Sequence, residues 1–193
     1  MAEYYLISQL PSLDGISENM PLPITEQAFL ELSAASLNKK LWHQLEKLSL
    51  IPSRESEKNS SALITAWNQG ERNLRLALGV KRAEKMKKEF DFGEQLLPAE
   101  ILSVAADAVE SKTPLEAESF LNSYRLEFLE SLRPMDNFSE EFLFYYLLKL
   151  KLLARMRKFN TELGKAAYKN IYDSILNGDR LEAIQCPRIK ARF

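Results

Sequence analysis

Ser-Glu-Glu-Phe-Leu-Phe-Tyr-Tyr-Leu-Leu-Lys-Leu-Lys-Leu-Leu-Ala-Arg-Met-Arg-Lys, residues 139–158, is the stretch whose reading settles the class of this chain. Ser139 is an N-cap residue, and Glu140 and Glu141 in the first turn meet the positive end of the helix dipole. Helical spacing continues to Asn177-Gly178, which predicts one long C-terminal helix over 140–177. Unbroken, it would measure ~57 Å at 1.5 Å per residue. A compact globule of this length is only about 42 Å across. The molecule is therefore expected to be elongated, or the helix to bend, with Gly164 as the candidate bend.

Working back from that helix, the start signals repeat. Thr113-Pro114-Leu115-Glu116 is a capping box with proline at the first helical position. The helix it opens carries Ala117, Leu121, Tyr124 and Phe128 on one face and stops near Arg133-Pro134. Pro98 opens a shorter helix running to about Ser111. Over 61–89, Leu63, Trp67, Gly70, Leu74 and Leu78 form a stripe at helical spacing. Gly70 and Gly79 interrupt a good helix former there, which predicts close approach of another element. Phe29, Leu32, Leu37, Leu41, Leu45 and Leu48 extend the pattern from Thr25, on one face or two consecutive ones. Residues 4–10 read as strand or helix, and 11–24 as an irregular segment containing Pro11, Pro21 and Pro23. The expected fold is all-α: a multi-helix bundle forming a single domain over 1–178, with residues 179–193 as a flexible basic tail.

Apolar residues make up 46% of the 193, enough for a real core. The longest apolar run, Phe142 to Leu148, falls well short of the ~20 residues of a spanning helix. The acidic start at Glu3 fits no signal peptide, and a lone Cys186 cannot close an internal disulfide. The expectation is a soluble, cytoplasmic protein. The composition also excludes much chemistry. With one histidine, His43, and one cysteine, no zinc cluster can be assembled. Gly164-Lys165 lacks both the following Ser or Thr and the upstream glycine of a phosphate loop. No Gly-x-Gly occurs. No catalytic residue, metal ligand or cofactor-binding residue is predicted, and the chain reads as non-enzymatic.

Charge is segregated. Residues 1–90 carry net +1, 91–141 net −9 and 142–193 net +7, for a total of −1. The simpler reading packs acidic helices beside basic ones. The sharper reading is a dipolar molecule whose basic docking face is centred on Lys149, Lys151 and Arg155, with a second basic cluster from Arg72 to Lys88. The near-neutral total argues against a nucleic-acid binder, although Phe144, Tyr145 and Tyr146 lie close to the basic stretch.

Several motifs carry a family resemblance. The start, Tyr4-Tyr5-Leu6-Ile7-Ser8-Gln9-Leu10-Pro11, with Pro-Leu-Pro-Ile-Thr-Glu-Gln-Ala-Phe-Leu at 21–30, resembles an uncharacterised bacterial family encoded beside the genes of V-type ATPases. Two further stretches are Glu71-Arg72-Asn73-Leu74 through Lys81-Arg82-Ala83, and the helix Phe142–Asn160 after Phe138-Ser139-Glu140-Glu141. Joined by Leu96-Leu97-Pro98-Ala99-Glu100-Ile101-Leu102, they are similar in order to the C-type component (d-type in eukaryotes) of V/A-type ATPases. The likeness covers about residues 60–176. This chain is shorter than those proteins, so only part of their helical funnel is implied. Lys149 and Lys151 also stand where an acid is expected.

The resemblance implies a C-type adaptor of the central stalk, active in proton or sodium transport without catalysis, cofactor or small-molecule substrate. Its partners would be the rotor ring and the central shaft of the ATPase. It would lie at the inner membrane only through that complex. Asn73 and Arg82 are implied as socket-lining or structural residues. A transient assembly factor, a generic helical scaffold and a nucleic-acid-binding helical protein are the alternatives.

Overall fold

A computed structural model describes residues 2–16, 20–52, 61–90, 96–158 and 161–176. Among these residues it contains eight α-helices: α1 (Ala2–Gln9), α2 (Glu26–Ser36), α3 (Lys39–Lys47), α4 (Ala62–Lys85), α5 (Ala99–Glu110), α6 (Pro114–Ser131), α7 (Glu140–Arg157) and α8 (Thr161–Leu176). The all-α expectation is met. None of the described helices is long and apolar enough to cross a membrane. The chain divides into two compact units, Met1–Lys158 and Phe159–Phe193. The tail expected at 179–193 lies outside the described residues.

The caps read from sequence are made. Thr113 Oγ1 accepts from the Glu116 amide at 3.2 Å, and Ser139 Oγ from the Phe142 amide at 3.3 Å. Thr25, Asn38 and Ser61 cap α2, α3 and α4 in the same way. Asn38 divides the pattern after Thr25 into two helices, because its extended backbone breaks the spiral while its side chain accepts from the Leu41 amide at 2.8 Å. Pro98 proves to be the N-cap of α5 and precedes its first turn.

The single helix expected over 140–177 is two helices. α7 ends at Arg157, where the Lys158 amide bonds back to the carbonyls of Arg155 and Met156, and α8 starts at Thr161. Met156 is the last apolar residue of α7 packed on the core. Gly164 lies inside α8 and is not the bend. The longest helix is α4.

α7 organises the first unit. Residues 143–150 are buried all round, as a helix apolar on every face must be. α2, α3, α4 and α6 pack against it, α1 packs on α2, and α5 lies between α4 and α6. The main core joins Leu6, Phe29, Leu41, Leu45, Trp67 and Leu129 to the α7 leucines. A smaller core of Leu74, Ala77, Leu78, Ala105, Ala108 and Leu121 joins α4, α5 and α6. On α6 the buried stripe is Leu121, Asn122, Arg125 and Leu129, one position on from the predicted one, and Tyr124 and Phe128 are half-buried.

The α4 glycines show where the second element comes close. A Cβ on Gly70 would lie 2.4 Å from Phe128 Cε1, on a ring that stacks against the enclosed Trp67. A Cβ on Gly79 would lie 2.8 Å from Phe90 Cζ, on a ring that is 43% exposed. Alanine gains about 1 kcal/mol of helix propensity at either site. Overpacking a held ring costs about 1–3 kcal/mol. Gly70→Ala should therefore lower the urea midpoint, and by more than Gly79→Ala does. Equal effects in the two variants would show that the Phe128 ring is held no more firmly than the exposed one.

Candidate docking surface and buried charge network

The first charge cluster lies inside the α4, α6 and α7 packing. Glu71 of α4 and Arg125 of α6 are both buried. The guanidinium donates from Nε to Glu71 Oε2 at 3.0 Å and from Nη2 to Oε1 at 3.1 Å. That two-point geometry is the strong arginine–carboxylate form. Arg75 adds a second donor to Glu71 at 3.1 Å from the rim. Arg125 Nη1 also donates to Asn122 Oδ1 at 3.4 Å and lies 3.8 Å from Glu118, which Arg155 of α7 contacts in turn. Burial above all, and then the charges of Glu100 and Glu71, raise the pKa of the Tyr124 phenol.

The second cluster surrounds Lys149, which is 7% exposed. Its ammonium is 2.7 Å from Asp14 Oδ1 and 2.6 Å from Glu130 Oε1, and donates to Tyr145 Oη at 3.2 Å. Burial pulls its pKa down, but the hydrogen bonds to Asp14, Glu130 and Tyr145 outweigh that and raise it. Asp14 is held below its ordinary 3.8, chiefly by the Lys149 hydrogen bond, against a burial penalty. Tyr145 donates to Glu130 at 2.8 Å, and burial is the main reason its pKa is raised. Tyr146 donates to the Pro11 carbonyl at 2.8 Å, and burial pushes its phenol up to about 12. Together these bonds fasten the segment around Pro11–Asp14 across α7. A cleft of about 190 Å³ opens beside them.

The three cations expected to form a basic docking face are thus all engaged within the first unit. Lys149 joins Asp14 and Glu130. Lys151 pairs with Glu26 at 3.1 Å and donates to the Leu48 carbonyl. Arg155 pairs with Glu118. The acidic partners come from α2, α6 and the segment after α1, so much of the segregated charge is resolved by packing acidic elements on α7.

Asn73 is half-buried on α4 and accepts from Gln69 Nε2 at 3.0 Å. Arg82 is exposed, nine positions further along the same helix. About two and a half turns of helix separate them, so they stand on opposite faces of α4. Arg82 instead lines a groove of about 370 Å³ between α4, α5 and the start of α6, together with Lys85 and Lys112. His43 is exposed on α3, with Nδ1 3.4 Å from Glu46 and its ring against Trp42. The pair it makes is an ordinary i, i+3 surface contact.

Sequence reasoning missed the Glu71–Arg125–Asn122 cluster as a unit. The signal was present: Arg125 stands between Leu121 and Leu129 at i±4, and Glu71 between Trp67 and Leu74 at i+4 and i+3. A charge placed on an apolar stripe in each of two neighbouring helices is the pattern of a buried pair.

Comparison with known proteins gives a family and no activity. Residues 51–179 match the family described as Protein of unknown function (DUF2764), and the chain belongs to that family. The matched stretch takes in α4 to α8, both members of the buried pair and the Arg82 groove. No curated protein and no solved structure matches the chain.

Proposed function

We propose that this protein is a non-enzymatic component associated with a V-type ATPase, a C-type adaptor between the rotor ring and the central stalk. The resemblance in motif order points to that complex. The observation that carries the mechanical part of the reading is the cross-helix charge network. Glu71, Arg125, Glu118 and Arg155 join α4, α6 and α7 in one chain of ion pairs through the bundle. Lys149 fastens the segment around Asp14 to the same helix. Well-packed cores resist deformation, and buried ionic pairs fix one helix register against another. A body so tied transmits force between two docking partners.

Affinity purification of the tagged protein from its own cell, at low salt, tests the reading. ATPase components of the ring or central shaft should be recovered with it, in fixed proportion to the purified complex. Recovery in amounts far below one copy per complex would favour the transient assembly factor. Recovery of no ATPase component at low salt would refute the association.

A further inference from the structure

We infer that the groove between the C-terminal half of α4, the end of α5 and the start of α6 is a docking site for an acidic segment of a partner protein. Its floor is apolar, built from Leu78, Ala108, Val109 and Leu121, and the charged side chains on its walls are all cationic: Arg82, Lys85 and Lys112. Lys85 donates to the Val109 carbonyl and is held in place. Arg82 and Lys112 are exposed, and among the described residues neither side chain makes a hydrogen bond or an ion pair. This sets them apart from Lys149, Lys151 and Arg155, whose charges are matched internally.

The end of α4 adds to the same potential. Lys87 adopts the left-handed conformation at φ 54, a position where glycine is usual. The turn closes through Lys88 N to Ala83 O at 2.9 Å and Lys87 N to Glu84 O at 3.1 Å. It sets two further exposed lysines beyond Arg82 and Lys85.

Charge complementarity and the apolar floor together select the occupant. Two or more carboxylates would meet the rim cations while an apolar side chain between them rests on the Leu78–Leu121 floor. The volume, about 370 Å³, holds one such side chain with its neighbouring backbone and is too small for a folded domain. A phosphodiester chain would satisfy the cations and leave the floor uncovered. This inference deepens the adaptor reading by naming the chemistry of the partner, and rests on that reading only for which protein supplies the segment.

The test is titration of the full chain with a fluorescein-labelled peptide of alternating glutamate and leucine, followed by fluorescence anisotropy at low and at high salt. Inorganic phosphate, a DNA duplex and anionic phosphatidylserine vesicles serve as competitors. The wild-type protein should bind the peptide, more weakly at the higher salt. The R82E/K112E variant should bind at least about tenfold more weakly with unchanged melting temperature, since both side chains are exposed and unpaired. If the reversal impairs folding, the R82A/K112A variant should still weaken binding severalfold. Undiminished binding in either folded variant overturns the inference. So does complete displacement of the peptide by DNA, vesicles or phosphate at lower concentration than unlabelled peptide. The two proposals can fail separately. ATPase components recovered equally with wild-type and R82E/K112E protein would refute the groove and leave the adaptor reading standing. Peptide binding that depends on Arg82 and Lys112, with no ATPase component recovered, would do the reverse.

Discussion

Arg125→Met should cost about 3–5 kcal/mol of folding stability, the usual penalty for stripping one partner from a buried ion pair. Glu71 is enclosed, and in the variant it would retain only the rim donor Arg75 at 3.1 Å. The methionine fills most of the space the arginine stem occupied, so the loss measures the stranded carboxylate and not a cavity. Glu71→Met should be as damaging, because the guanidinium would be left with Asn122 at 3.4 Å and Glu118 at 3.8 Å. At roughly 2–4 °C per kcal/mol for a chain of this size, each single variant should melt about 6–20 °C lower. The double variant Glu71→Met/Arg125→Met decides the cause. Replacing both partners by apolar residues removes the desolvation penalty together with the attraction, and commonly comes out neutral or stabilising. It should therefore recover most of the loss, giving a coupling energy of several kcal/mol in the cycle. Additive losses in urea denaturation would mean that the two side chains do not meet in the folded protein.

How much of this is legible in the sequence follows the range of the interactions involved. The caps at Thr113 and Ser139, and the α4 stripe of Leu63, Trp67, Leu74 and Leu78, are set within a few residues and can be read directly. The division of 140–177 into α7 and α8 cannot be read that way. Both halves have helical spacing, and neither Pro nor Gly stands between them in the sequence. Hydropathy places the α6 stripe one position off because Tyr124 and Phe128 outrank Asn122 and Arg125. Tertiary pairing with Glu71 reverses that order. The basic face around Lys149 illustrates the same limit. A lysine in an apolar helix looks like a solvated charge until Asp14, 135 positions away, is brought to 2.7 Å. The Arg82 groove needs three helices to form. Arg82 and Lys85 stand out in the sequence only within a basic cluster, and nothing there joins them to Lys112.

Lys149→Glu should be among the most damaging single changes in the protein, and Lys149→Met one of the mildest at a buried charged position. The asymmetry comes from where the partners sit. Lys149 is enclosed, whereas Asp14 and Glu130 have side chains 58% and 41% exposed. When methionine removes the ammonium, both carboxylates turn to water, and the expected loss is only about 1 kcal/mol. A glutamate at 149 would bury a third carboxylate beside those two, with no cation among the described residues to meet it but Arg133 at the edge, 3.6 Å from Asp14. That cost is on the order of 3–5 kcal/mol unless the new acid stays protonated. The pH dependence has a definite sign. The Asp14 pKa is depressed in the folded state, so its contribution is present above the ordinary value of 3.8 and is lost as pH falls through the folded value. The Lys149 pKa is raised, so its contribution is complete below 10.5 and fades only as pH climbs beyond that. Wild-type protein should therefore lose stability below about pH 4 more steeply than Lys149→Met, in which Asp14 has lost its main cation. Proteolysis supplies a local readout, since the segment around Pro11–Asp14 is fastened to α7 by Lys149 and by the Tyr146 bond to Pro11. Cleavage there should be faster in Lys149→Glu under conditions where the rest of the bundle remains folded. Reversing Lys149, Lys151 and Arg155 together should lower stability and partner binding at once, as expected of charges that hold the bundle together. A triple reversal that keeps the wild-type melting temperature and loses only partner binding would restore these residues to an exposed docking face and refute the internal latch.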